Sequence, residues 1–181
     1  MARQSLGWTK TRLAAEVDIT PRRLADYENR GDSPPTGTLA DLARVLKVPE
    51  AFFFGPDVKQ PANVSFRSLR AMSAGVRDAA IAAAQMTVEV SDWIGGHFEL
   101  GTPTLPTDLA GIEPAIAAGV LRERWGLGLQ PAPNLVQLAE LLGVRVFALS
   151  VNARTLDAFS FWERDRAFIL LNARGTAERR R

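Results

Sequence analysis

Two threonines, Thr9 and Thr20, each stand directly before a stretch of helical periodicity, and the chain between them has room only for one short helix and a tight turn. As an N-cap, Thr9 opens a helix that places Leu13, Ala14 and Val17 on one face and ends near Asp18. Thr20 caps a second helix, with Pro21 at the first position, where a missing N–H costs nothing. Leu24, Tyr27 and Glu28 then recur at helical spacing up to the stop at Asn29-Arg30-Gly31. Two short helices crossing steeply need a small residue on the first, an apolar residue in the turn and another inside the second; Ala14, Ile19 and Leu24 fit. Helix pairs of similar spacing also occur in plain bundles.

Ser33-Pro34-Pro35 forces an extended loop, after which Thr36 or Thr38 opens a helix with Leu39, Leu42, Ala43 and Leu46 inward. Val48-Pro49 starts a last turn carrying Phe52, Phe53 and Phe54, which completes a five-helix unit over residues 1–54. Residues 55–63, with Pro56 and Pro61, read as a linker. The third region, 64–181, begins with a long alanine-rich helix over Ser73 to Phe98, in which Val76, Ala80, Ala83, Met86, Val90 and Trp93 or Ile94 approximate an apolar stripe. Further helices are expected over Glu113 to Trp125 and over Asn134 to Leu142, the latter closed by Gly143. Val144 to Leu149 reads as a strand, and Ala158 to Trp162 with Ala167 to Leu171 as a hairpin about Glu163-Arg164-Asp165-Arg166. Gly175 to Arg181 reads as the first turn of another helix. The expected fold is mainly α, with a small α+β region of long helices and a short antiparallel sheet behind the five-helix unit.

Chemistry is constrained by what the chain lacks. Without cysteine there are no disulfides, thiolate nucleophiles or cysteine-ligated zinc, and a single histidine, His97, cannot make the usual metal site. His97 is expected at a helix end or surface, and no metal or cofactor is expected. Gly126-Leu127-Gly128 lacks the third glycine and the preceding strand of a dinucleotide loop and reads as a helix stop. The four tryptophans are expected to fill cores. No apolar run reaches the roughly 20 residues of a membrane helix, and MARQSLGWTK lacks a signal-peptide core, so a cytoplasmic location is expected by default. With a net charge of +2, attraction to a polyanion must come from local placement of basic side chains. Residues 1–31 hold six (Arg3, Lys10, Arg12, Arg22, Arg23, Arg30) against Glu16, Asp18, Asp26 and Glu28.

Trp8-Thr9-Lys10 through Glu28, followed by Leu39, Leu42, Ala43, Leu46, Val48, Pro49 and Phe52-Phe53, resembles the Cro/C1-type (XRE) helix-turn-helix family along the whole N-terminal unit. The resemblance implies a lambda-repressor-like fold that reads double-stranded DNA as a transcriptional regulator, with the helix from Thr20 to Asn29 in the major groove. It also implies roles: Arg22, Arg23 and Asp26 at base edges, with Arg22 the first candidate for guanine, and Thr9, Lys10 and Thr20 at phosphates. The alternative for Arg22 and Arg23 is that they solvate an exposed helix face. Tyr27 is expected in the core and Glu28 as partner of a basic group. Two departures stand out: Asp18 occupies the turn position that usually carries glycine, and the first helix is short. A homodimer is expected, because one recognition helix reads only a few base pairs.

Phe66-Arg67-Ser68-Leu69-Arg70, Ser91-Asp92-Trp93-Ile94, Trp125-Gly126-Leu127-Gly128, Asn134-Leu135, Gly143-Val144-Arg145-Val146 and Asp157-Ala158-Phe159-Ser160 together resemble the ImmA/IrrE-type metallopeptidase domain. In that family Ala177-Glu178-Arg179-Arg180 would begin the helix that bears the His-Glu-x-x-His zinc motif. The 181 residues include neither that motif nor its catalytic glutamate, so the resemblance implies a non-enzymatic chain, with association or sensing left to the C-terminal region. The competing expectation is a fragment of a zinc metallopeptidase regulator whose catalytic helix lies beyond Arg181. A third is a protein-interaction module.

Overall fold

In a computed structural model of the chain, residues 1–56, 58–68, 72–106, 108–132, 134–149 and 156–172 are described. The expected helix at Gly175 to Arg181 lies outside them. Seven α-helices occur among these residues: α1 (Ala2–Ser5), α2 (Lys10–Glu16), α3 (Pro21–Arg30), α4 (Thr36–Leu46), α5 (Ala74–Gly95), α6 (Pro114–Arg124) and α7 (Leu135–Leu141). The four strands are β1 (Ser65–Ser68), β2 (Arg145–Leu149), β3 (Leu156–Glu163) and β4 (Arg166–Asn172). Of the five helices expected before residue 55, four are α-helical; the last, Glu50–Phe54, is a 3₁₀ turn.

The caps act as their chemistry requires. Thr9 Oγ1 accepts from the Arg12 amide at 3.2 Å and Thr20 Oγ1 from the Arg23 amide at 3.1 Å, so each satisfies a donor that has no partner within its helix. Gly31 ends α3 in the left-handed region at φ 71°. Asp18 adopts φ 51° in the turn, a conformation that Asp tolerates better than most side chains. Leu13, Ala14, Val17, Leu24, Leu42 and Leu46 form the buried cluster of this unit, with Ile19 and Trp8 packed against it.

The long helix α5 does not carry the single stripe expected of it. Its Ala79, Ala80, Ala83, Ala84 and Val88 pack on the sheet, while Met86 packs into the N-terminal cluster and α1 lies against the same helix. Gln85 Nε2 donates to the Val58 carbonyl at 2.6 Å, and Pro61 is buried. Val90 and Trp93, assigned to the stripe, are exposed. The helix is thus shared by two packing surfaces. Small alanines suit the face toward the sheet, because large aromatic side chains fill the other half of that interface.

The sheet has the order β1-β3-β4-β2. The hairpin of β3 and β4 closes through Arg164 and Asp165, with Arg164 at φ 57°. Contrary to the antiparallel sheet expected, this one is mixed: β2 runs parallel to β4. The reason is that β1, a strand not anticipated, occupies the free side of β3, so β2 meets the hairpin only along the outer edge of β4. Phe159, Phe161, Phe168 and Leu170 point from the hairpin toward α5, and Phe161 stacks on Phe168 with centroids 4.9 Å apart. Near the end of α5, Arg145 donates to Ser91 and Arg166 pairs with Asp92, tying helix to sheet. Burial, reinforced by the charge of Arg166, holds the Arg145 guanidinium pKa below its ordinary value against the opposing pull of Asp92 and Asp165.

The tryptophans are not all core residues. Trp8 packs on the N-terminal cluster, but Trp93 is 64% and Trp162 46% exposed, and Trp125 is half-buried. Trp93 and Trp162 stand on faces that no described element covers completely.

Candidate nucleic-acid interface

Helix α3 buries Leu24 against α2 and turns its first residues outward; Arg22 and Arg23 are exposed and Asp26 is half-buried. The three candidate base readers differ in how far their polar groups are already engaged. Arg22 has no hydrogen bond or ion pair among the described residues. The Arg23 Nε donates to the Tyr27 hydroxyl at 3.0 Å, its guanidinium lies 4.9 Å from the Tyr27 ring, and a further nitrogen is 3.8 Å from Asp32. Asp26 is paired with Arg30 at 3.4 Å. Arg22 is therefore the side chain that can meet a base edge without first breaking a contact, which a bidentate pairing to guanine O6 and N7 requires.

Tyr27, expected in the core, is half-buried, and its hydroxyl serves to hold Arg23. The same bond is the main cause of the Arg23 pKa being raised above its usual value.

The three phosphate candidates are placed as follows. Thr9 and Thr20 accept backbone hydrogen bonds as caps, and each hydroxyl keeps its own hydrogen to donate. Lys10 Nζ is 3.5 Å from Glu28 Oε2 and retains further N–H groups. Arg12, counted among the basic residues but not among the phosphate candidates, is exposed on α2, with its guanidinium 4.2 Å from the Trp8 ring centroid. Trp8 stands just before the Thr9 cap and Arg12 in the first turn of α2, which lets the cation rest over the indole.

Glu28 fills the expected role of partner to a basic group, and does so across the unit. Arg3 donates to both carboxylate oxygens, at 2.7 and 3.0 Å, and also to the Trp8 carbonyl at 2.5 Å. One arginine thus clamps α1, the α1–α2 connection and α3 together. Burial pushes the Glu28 carboxyl pKa up, but the Arg3 hydrogen bond and charge, with Lys10 and the N-terminal ammonium, outweigh it and hold it below the ordinary value. Beside this clamp a cleft of about 660 Å³ remains between α1, the end of α3 and the segment around Phe52 to Gln60.

His97 sits exposed just past α5, with Nδ1 2.7 Å from the Trp93 carbonyl and its ring 4.6 Å from the Trp93 ring. Gly126 and Gly128, at φ 66° and 51°, form the chain reversal after α6. Among the described residues no three His, Cys, Asp or Glu side chains gather as a metal site, and no helix is long and apolar enough to cross a membrane.

No curated protein and no solved structure matches the chain. Residues 1–53 match the family model described as helix-turn-helix, so this segment is similar to the helix-turn-helix units of DNA-binding regulators.

Proposed function

We propose that the protein binds double-stranded DNA sequence-specifically as a transcriptional regulator, with the helix from Thr20 to Asn29 in the major groove. The observation that carries this reading is the exposed Arg22, without a partner among the described residues, on the first turn of a capped α3 within the segment that matches the helix-turn-helix family. Arg22 reads guanine; Arg23 and Asp26 adjust neighbouring positions once released from Tyr27 and Arg30. Thr9, Lys10 and Thr20 hold phosphates and so fix register. The regulator acts in the cytoplasm as a homodimer, which sets two recognition helices on two half-sites.

The C-terminal region, residues 64–181, we read as an ImmA/IrrE-like fold used for association or sensing and not for catalysis. The stretches that carry that resemblance and are described fall on β1, α5, the end of α6, the start of α7, β2 and β3. Residues 1–181 hold one histidine and no cysteine, and so do not by themselves supply the usual zinc ligands of a peptidase centre.

Fluorescence anisotropy with labelled duplexes tests the DNA reading. Affinity should fall linearly with salt on logarithmic axes. On a duplex selected for tight binding, Arg22→Ala should cost about 1–3 kcal/mol and relax preference at one base pair. Salt-independent binding, or an unchanged profile for Arg22→Ala, would sink the assignment.

A further inference from the structure

The two faces of the sheet are filled differently. Toward α5, Phe159, Phe161, Phe168 and Leu170 leave no room. On the opposite face the strands present Ser160 and Ala167, and α7 sets Ala139 above them. Ile169 shares this face with Ser160, and Leu138 and Leu142 flank Ala139 on α7, yet a hollow of about 350 Å³ remains between helix and sheet. Trp125 and Trp162 wall it, and Leu135 stands at its helix side. Trp162 and Leu135 are also well exposed, so the hollow opens to solvent.

We propose that this hollow is a binding site for a small, neutral molecule with an aromatic or compact apolar body and one hydrogen-bonding group. Charge decides the class. Among the described residues no Asp, Glu, Lys, Arg or His lines the hollow, so an ionised ligand would lose its hydration with no counter-charge from these walls to receive it. Among the described lining residues the Ser160 hydroxyl is the one side-chain oxygen, and the indole N–H groups of Trp125 and Trp162 are further donors. The volume lies at the lower end of the range for small-molecule sites, about 300–1,000 Å³, and the mix of apolar walls with few polar groups is what such sites present. An inserted protein helix, about 10–12 Å across its side chains, needs an open groove, whereas this space is bounded by α7 on one side and the sheet on the other.

Titration of the full chain with benzyl alcohol, followed by amide ¹H–¹⁵N shifts, tests the site, with benzoate as the charged counterpart of nearly the same shape. Saturable shifts are expected at Ala139, Ser160 and Ala167, and benzoate should bind at least about tenfold more weakly. Ala139→Phe should fill the hollow and abolish the shifts while leaving the response at the exposed Trp93 unchanged. Should that variant fail to fold, Ser160→Val serves instead: it removes the hydroxyl, so benzyl alcohol should lose its advantage over toluene. Shifts spread equally over Trp93 to Phe98, equal binding of benzoate, or indifference to both substitutions would each overturn the proposal. So would concentration-dependent association blocked by Ala139→Phe without any saturable response to benzyl alcohol, which would make the face a protein interface.

Discussion

The N-terminal helical unit and the C-terminal sheet solve the problem of closing a core in opposite ways. The first relies on aliphatic side chains, Leu13, Leu24, Leu42 and Leu46, held in short helices, and its α1 is four residues long. The second stacks three phenylalanines of its hairpin over a continuous alanine face of α5. The difference shows in what each needs from its neighbour. The helical unit takes Met86 from α5 into its own cluster and leans α1 on that helix, whereas among the described residues the cluster that buries the sheet's aromatics draws on α5, the strands and the segments before α5. The seating of α3, and with it the DNA reading proposed for that helix, therefore depends on a helix packed against the sheet.

The sharpest way to break this comparison is to damage each core and observe the other. Phe168 is 1% exposed and stacked between Phe161 and Phe147, so Phe168→Ala should cost about 3–5 kcal/mol. Because it releases the seat of α5, it should also lower hydrogen-exchange protection in α2 and α3. Leu13→Ala, at about 2–5 kcal/mol, should unprotect α1 to α4 but leave β3 and β4 protected. Symmetrical loss in both variants, or full independence, would show that α5 does not couple the two cores in one direction.

How legible each region was in the sequence follows from the same contrast. The α2–α3 pair could be read because its signals are local: Thr9, Thr20, Pro21 and Gly31 are caps and stops whose chemistry acts within one turn. The hairpin was readable for the same reason. By contrast, β1 has one large apolar residue, Phe66, and forms because β3 offers an edge, which no local pattern announces. The double role of α5 was hidden by its composition, since alanines contrast too weakly with their neighbours to show which face is buried. In the candidate site, α3 with its Thr20 cap and Gly31 stop was legible. The clamp of Arg3 on Glu28 joins elements distant in sequence, and the tie of Arg23 to Tyr27, though at i, i+4, competes with other rotamers that spacing alone does not rank.

Gly143 tests the sheet side alone. It lies at φ 80°, and a Cβ there would collide with the backbone at Thr102 and Pro103, where the Thr104 amide donates to the Leu142 carbonyl at 2.9 Å. Gly143→Ala should cost about 1–3 kcal/mol from the left-handed backbone, with the collision in addition. The loss should appear as exchange in α7 and β2 before α2 and α3; a neutral substitution would mean that this approach is not maintained in solution. Met86→Ala tests the opposite side. Removing a partly buried thioether from the N-terminal cluster should cost about 1–2 kcal/mol, loosen α1 to α4 and weaken DNA affinity while leaving the hairpin protected.

The smallest effect concerns the clamp inside the helical unit. The Glu28 pKa is held below its unfolded value by Arg3 and Lys10, so the ionised carboxylate is favoured in the native state. A depressed native pKa contributes stability above the unfolded carboxyl value, roughly 4.3, and that contribution is lost as pH falls through the lower native value. Glu28→Gln should therefore cost about 1 kcal/mol near neutral pH, a modest figure because the pair is partly solvated. In paired denaturant titrations, the gap between variant and wild type should narrow steadily below that range. A gap of constant size down to strong acid would mean that Glu28 acts through shape and packing, and the electrostatic tie between α1 and α3 would then be discarded. Sensitivity of the same gap to salt at neutral pH, without loss of β4 protection, would place the clamp wholly within the helical unit.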